Sequence, residues 1–173
     1  SKIGVYAIIR TQTLMFPPDA RQGTLLLVLA GLTMIVGVLG ALAQDDLRRM
    51  LSFHIVSHIG YMIFGLALFT LAGIAAAVFY VVHHIVVKTA LFLVAGLVER
   101  RAGSDRLSRI GGLVRSAPMI AVLFALPALS IAGLPPFSGF VGKFALVGSG
   151  IESDEWAIVA VSLIVSLLTM YVM

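Results

Sequence analysis

Apolar runs alternate with short polar interruptions along the whole chain. A helix needs about 20 consecutive apolar residues to cross the hydrocarbon core of a bilayer, and several runs reach that length. Residues 3–16 fall short and read as the tail of a helix, closed by Pro17 and Pro18. Residues 23–43 form a full span rich in Leu, Val and Gly. In the polar turn that follows, Asp45 or Asp46 is suited to cap the next helix. Residues 50–69 make the third segment, and a tight turn near Leu71, Ala72 and Gly73 leads to a fourth at 74–98. The longest polar loop is 99–116, an acidic turn occupies 152–155, and 157–173 is the last span.

The apolar segment 118–148 is too long for one straight span, and it contains Pro127, Pro135 and Pro136. Each proline removes a backbone donor and clashes with the preceding turn. The run from Gly133 through Pro135, Pro136 and Ser138 to Gly139 therefore predicts a broken helix. Broken backbone at membrane depth persists only where protein buries it or where it lines an aqueous cavity. Such breaks mark substrate sites in many transporters. The pattern as a whole predicts an all-α integral membrane fold of five to six transmembrane helices, one of them discontinuous. Gly31, Gly37 and Gly40 are small residues that let helices pack closely in lipid.

Composition agrees with this reading. Of 173 residues, 60% are hydrophobic and only 12% charged, where soluble domains carry about 25%. The net charge of +4 does not point to nucleic acid, because the basic residues sit in short loops between apolar runs. Loops 44–50 and 99–115 fall on one side by alternating crossings and hold Arg48, Arg49, Arg100, Arg101, Arg106, Arg109 and Arg115. The positive-inside rule makes them cytoplasmic and the protein a multi-pass cell-membrane protein. There is no cysteine, which excludes disulfides and thiolate metal sites. The chain opens inside one apolar stretch and stops inside another, so it reads as a segment of a longer polypeptide. No nucleophile motif, phosphate loop or dinucleotide fingerprint is present, so neither covalent chemistry nor a cofactor is expected.

Two lysines then stand out. Lys88 is the one formally charged residue between Leu51 and Val98, and Lys143 is equally alone between Ser116 and Ile151. A charge at the bilayer centre costs roughly 2.5–3.5 kcal/mol on insertion scales. Such residues are functional candidates by default. Tyr80, His84 and Lys88 are spaced four apart and share one helical face. Burial disfavours the charged form of both amine and imidazole, so holding and releasing a proton approach each other in energy. His83 lies on a neighbouring face. His54 and His58 form a second pair four apart, read either as polar contacts between helices or as a branch of a proton path. With no carboxylate in the spans, the histidines are not read as a metal site. Lys143 follows the Pro135 and Pro136 break by two turns, with Gly139 and Gly142 leaving room beside it. From these patterns alone, Lys2 cannot be interpreted.

Four blocks resemble one superfamily. They are residues 2–10 (Lys-Ile-Gly-Val-Tyr-Ala-Ile-Ile-Arg), 49–62 (Arg-Met-Leu-Ser-Phe-His-Ile-Val-Ser-His-Ile-Gly-Tyr-Met), 83–89 (His-His-Ile-Val-Val-Lys-Thr) and 132–144 (Ala-Gly-Leu-Pro-Pro-Phe-Ser-Gly-Phe-Val-Gly-Lys-Phe). The superfamily comprises the antiporter-like subunits shared by Mrp-type cation/proton antiporters and respiratory complex I. Within it, the second and third blocks are most similar to D-type Mrp subunits. The resemblance implies that residues 1–16 are the tail of an eighth helix and that 23–173 are most of a second five-helix inverted repeat. It also implies a proton pathway through Lys2, His84, Lys88 and Lys143, and a hetero-oligomeric complex exchanging protons for Na⁺ or another monovalent cation. The family position held here by His58 is usually glutamine, which leaves its role open. A complex I subunit and a structural membrane scaffold are the competing expectations.

Overall fold

The computed structural model describes residues 2–15 and 20–173. The chain forms α1 (Lys2–Met15), α2 (Ala20–Leu42), α3 (Leu47–Ala67), α4 (Leu71–Ala102), a 3₁₀ turn (Leu107–Arg109), α5 (Leu113–Ser116), α6 (Pro118–Ala132), α7 (Ser138–Glu152) and α8 (Trp156–Val172). Pro17 and Pro18, expected to close the first helix, lie outside the described residues. Helices α2, α3 and α4 are each long and apolar enough to cross a membrane, and α6 and α8 are shorter apolar helices. The all-helical membrane fold with one discontinuous span is as the apolar pattern predicts.

The break falls where the prolines place it. Helix α6 ends at Gly133, whose φ of 87° puts it in the left-handed region, where glycine has no Cβ penalty. Helix α7 restarts at Ser138. The two halves touch closely, since a Cβ on Gly139 would stand 1.7 Å from the Ser130 carbonyl oxygen. Pro127 does not interrupt α6.

Several boundaries differ from the sequence reading: α3 covers Leu47–Ala67 rather than 50–69, α7 runs to Glu152 rather than 148, and both ends of α4 move. The turn before α4 lies at 68–70 rather than at Leu71, Ala72 and Gly73. The Thr70 hydroxyl accepts from the Gly73 N–H, so Leu71 is already helical. At its other end α4 runs to Ala102 instead of Val98. Arg100 and Arg101 suit the negative end of a helix, and the stop comes at Gly103, at φ 69°. Asp46 does occupy the cap position of α3, but its side chain makes no capping hydrogen bond.

Packing follows the small residues. A Cβ on Gly37 would lie 2.3 Å from the Ser57 nitrogen, and one on Gly60 would lie 2.7 Å from the Ala30 carbonyl oxygen. Helices α2 and α3 are thus in backbone contact, as small interfacial residues allow in lipid. Helix α4 packs on α3, α6 and α7, and α8 packs on α2. The two arginine-bearing loops meet at one end of the molecule. Leu47 N–H donates to the Asp105 carbonyl (3.0 Å) and Leu107 N–H to the Asp45 carbonyl (2.8 Å).

A candidate proton pathway

The buried apolar residues form two clusters. One gathers Met34, Tyr61, Phe64, Tyr80, Leu146 and Val159. The other gathers Leu51, Leu91, Val94 and Ile131. Helices α3 and α4 carry members of both clusters, with His54, Ser57 and His58 of α3 and His83 and His84 of α4 between them and Lys88 just beyond, next to Val87. Helix α7, which carries Leu146 of the first cluster, adds the buried Lys143. Lys88 and Lys143 are only 4% and 7% exposed, so neither ammonium reaches the surface. A polar layer therefore lies between two oily ones.

At one side of this layer, Lys2, His84 and Lys88 line a single cavity of about 470 Å³. The Lys88 Nζ donates to the Leu51 carbonyl of α3 at 3.2 Å. The Lys2 Nζ approaches the Met62 sulfur at 3.5 Å. The middle of the layer is aromatic. The rings of His84 and His58 lie 5.0 Å apart. His58 Nδ1 and the Tyr80 hydroxyl are hydrogen-bonded at 2.6 Å. The Tyr80 ring stands 5.7 Å from that of Tyr61 and 5.6 Å from that of His83.

At the far side, Lys143 sits over the Tyr61 ring at 5.4 Å. Its Nζ donates to the Ala132 carbonyl and to the Ser166 hydroxyl, both at 2.9 Å. Ala132 ends α6, so the lysine satisfies a carbonyl that the break leaves without an intrahelical donor and places a cation at the negative helix end. Gly133 accommodates the same stem, since a Cβ there would meet Lys143 Cδ at 2.8 Å. His83, read as lying on a neighbouring face, points at the restart of α7, with its Nδ1 2.9 Å from the Ser138 hydroxyl.

The structure thus brings Lys2, His84 and Lys88 to one cavity and sets Lys143 beyond a His58–Tyr80–Tyr61 bridge. His54 is fully buried beside His58, with ring centroids 6.2 Å apart. Among the described residues, both nitrogens of His54 and of His84, and Nε2 of His58 and of His83, have no hydrogen-bond partner. Buried polar atoms of this kind are ordinarily satisfied by ordered water. Sequence reasoning gave no role to Tyr61, which lies within the block 49–62. It missed Ser166, a small hydroxyl in an apolar helix that no local spacing marks out.

The sequence profile of the NADH:quinone oxidoreductase/Mrp antiporter transmembrane family matches residues 1–169. The chain belongs to this family. It is 49% identical over 174 residues to the D-type subunit of the Na⁺/H⁺ antiporter of Alkalihalophilus pseudofirmus, covering all of this chain and 35% of the relative. It is 39% identical over 172 residues to the corresponding D-type subunit from Bacillus subtilis, covering 99% and 35%. Among solved structures, the Mrp complex of Dietzia superposes with a TM-score of 0.95 at 43% identity, covering 99% of this chain and 32% of that one. Respiratory complex I of Thermus thermophilus superposes at 0.90 with 30% identity, covering 98% and 37%. The chain spans about a third of the length of the curated relatives it matches. The family read from the four sequence blocks is the family found.

Proposed function

We propose that the chain is most of the second inverted repeat of one component of a multisubunit Na⁺/H⁺-type antiporter, and that it carries protons through Lys2, His84, Lys88 and Lys143. The observation that carries this reading is the burial of two isolated amines at opposite ends of one connected polar layer. His58 and Tyr80 join the two ends. A hydroxyl and an imidazole can each give one proton while accepting another, so the pair relays without net charge. Water bridges the histidine nitrogens that lack protein partners among the described residues. Protonating one amine electrostatically disfavours protonation of its neighbour and drives the proton onward. The driving force is an ion gradient plus voltage, worth about 2.3 kcal/mol per charge per 100 mV. No carboxylate lies in the spans between Leu51 and Val98 or between Ser116 and Ile151, so the cation is assigned a site elsewhere in the complex. The arginine-bearing loops are assigned to the cytoplasm.

The likeness to complex I supports a second reading, a proton-pumping component of a respiratory complex. The greater identity to Na⁺/H⁺ antiporter relatives favours the first. The test is ΔpH-driven exchange in everted vesicles from cells lacking their own antiporters, expressing the complete operon. Lys88→Ala and Lys143→Ala each lower exchange by about 10²-fold or more while the complex still assembles. Wild-type exchange in both variants leaves the chain a scaffold.

A further inference from the structure

We propose that the Arg48–Glu99 pair is the surface terminus of the pathway, exchanging protons between solvent and Lys88 along one face of α4. The inference rests on the relay reading above. A second cavity, of about 530 Å³, opens where α3 begins and α4 ends. Arg48, Gly96, Glu99 and Arg100 line it, and so does Leu93. Leu93 also lines the cavity that holds Lys2, His84 and Lys88. The two spaces are therefore neighbours along α4, with Leu93 common to both linings.

Helix geometry supports the alignment. Lys88 and Glu99 are eleven residues apart, which is about three turns and about 16 Å of rise, so both project to nearly the same side. Glu99 is the one carboxylate among the residues lining the outer cavity. Its charged neighbours there are Arg48 from α3, with which it forms an ion pair, and Arg100 from its own helix. Its side chain is 39% exposed, and that of Arg48 is 56% exposed. Solvent therefore reaches it. An exposed ion pair adds little to stability, which leaves a carboxylate free to exchange protons at little structural cost. The step balances simply. Glu99 takes a proton from hydronium in the solvent, leaving water, passes it through intervening water to the neutral Lys88 amine, and returns to the carboxylate as Lys88 becomes an ammonium. The reverse sequence releases a proton.

Gly96 offers a way to test the route without disturbing the fold. A Cβ there meets nothing nearer than the Arg48 guanidinium, at 3.9 Å, so Gly96→Phe fills the outer cavity rather than a packed interface. Exchange is measured with the assembled complex in proteoliposomes, beside Lys88→Ala as reference. The inference expects Gly96→Phe and Glu99→Gln each to slow exchange by about tenfold or more, and Glu99→Asp to restore most of it. Should Glu99→Gln fail to assemble, the exchanged pair Arg48→Glu with Glu99→Arg keeps one acid in the cavity and is expected to transport. Loss of exchange in Lys88→Ala together with wild-type rates in Glu99→Gln and Gly96→Phe overturns this entrance and leaves the relay standing. An assembled exchanged pair that does not transport overturns it equally. Wild-type exchange in Lys88→Ala overturns the relay itself.

Discussion

Replacing Tyr80 by Phe removes one oxygen atom and little else. That oxygen is bonded to His58 Nδ1 at 2.6 Å, and His58 Nε2 has no partner among the described residues. The variant therefore strips a fully buried imidazole of that hydrogen bond. Stranding a buried polar group costs about 1–3 kcal/mol. The ring-to-ring packing of residue 80 on Tyr61 and His83 is retained, so the loss is confined to the hydroxyl. If the same hydrogen bond carries the proton between the two lysine ends, a comparable penalty enters the transfer barrier. At about 1.36 kcal/mol per tenfold, that predicts exchange slowed roughly 5- to 150-fold. The assay is the initial rate of ΔpH dissipation per assembled complex in everted vesicles, with a thermal melt of the purified complex run alongside. A lowered melt with an unchanged rate would show that the hydroxyl is structural and that protons take another way. An unchanged melt and rate would refute the geometry itself.

Other perturbations test other parts of the account. Gly37→Ala drives a methyl group to 2.3 Å from the Ser57 nitrogen. It is expected to part α2 from α3 and cost about 1–3 kcal/mol or more, read as lost complex in a melt, whereas Gly148→Ala meets nothing within 4 Å and should melt as wild type. Lys143→Met removes the nearer of two donors to the Ala132 carbonyl at the helix break, leaving the Ser166 hydroxyl at 3.4 Å. It should both abolish exchange and lower stability by about 1–3 kcal/mol, whereas Lys143→Gln can keep the hydrogen bond and should lose exchange alone. Outside the membrane, a side-chain hydrogen bond with Asp105 raises the Asp46 carboxyl above its usual range. A raised carboxylate favours the folded contact at low pH and loses that advantage as pH rises through its folded value. Asp105→Asn should therefore protect the Leu47 and Leu107 amides better than wild type at neutral pH. The difference should vanish below about pH 4, where ordinary carboxylates are protonated. Hydrogen exchange corrected for intrinsic rates measures it.

Much of the fold and part of the site were legible in the sequence. Isolated charges in long apolar runs marked Lys88 and Lys143, because water-free surroundings make each charge costly enough to need a reason. The helix break was legible because two adjacent prolines after a glycine leave the backbone no helical continuation. The turn before α4 was not, because Thr70 caps through a side chain that apolar counting ignores. The i, i+4 rule placed Tyr80, His84 and Lys88 on one face, and the structure keeps all three buried. It could not show that Tyr80 bonds to His58 across to α3, since contacts between helices depend on rotation and tilt. Nor could spacing show that Lys143 turns back to the end of α6. That contact follows from the close approach of Ser130 and Gly139 across the break.

The central claim is that the two buried amines act in series on one route. The measurement that tests it most directly is proton flux through the purified complex in proteoliposomes for Lys88→Gln, Lys143→Gln and the double variant, each normalised to assembled protein. Groups that act as a unit are strongly non-additive, so the double variant is expected to retain the same residual flux as the slower single one. Losses that multiply in the double variant, or wild-type flux in either single one, would contradict the account.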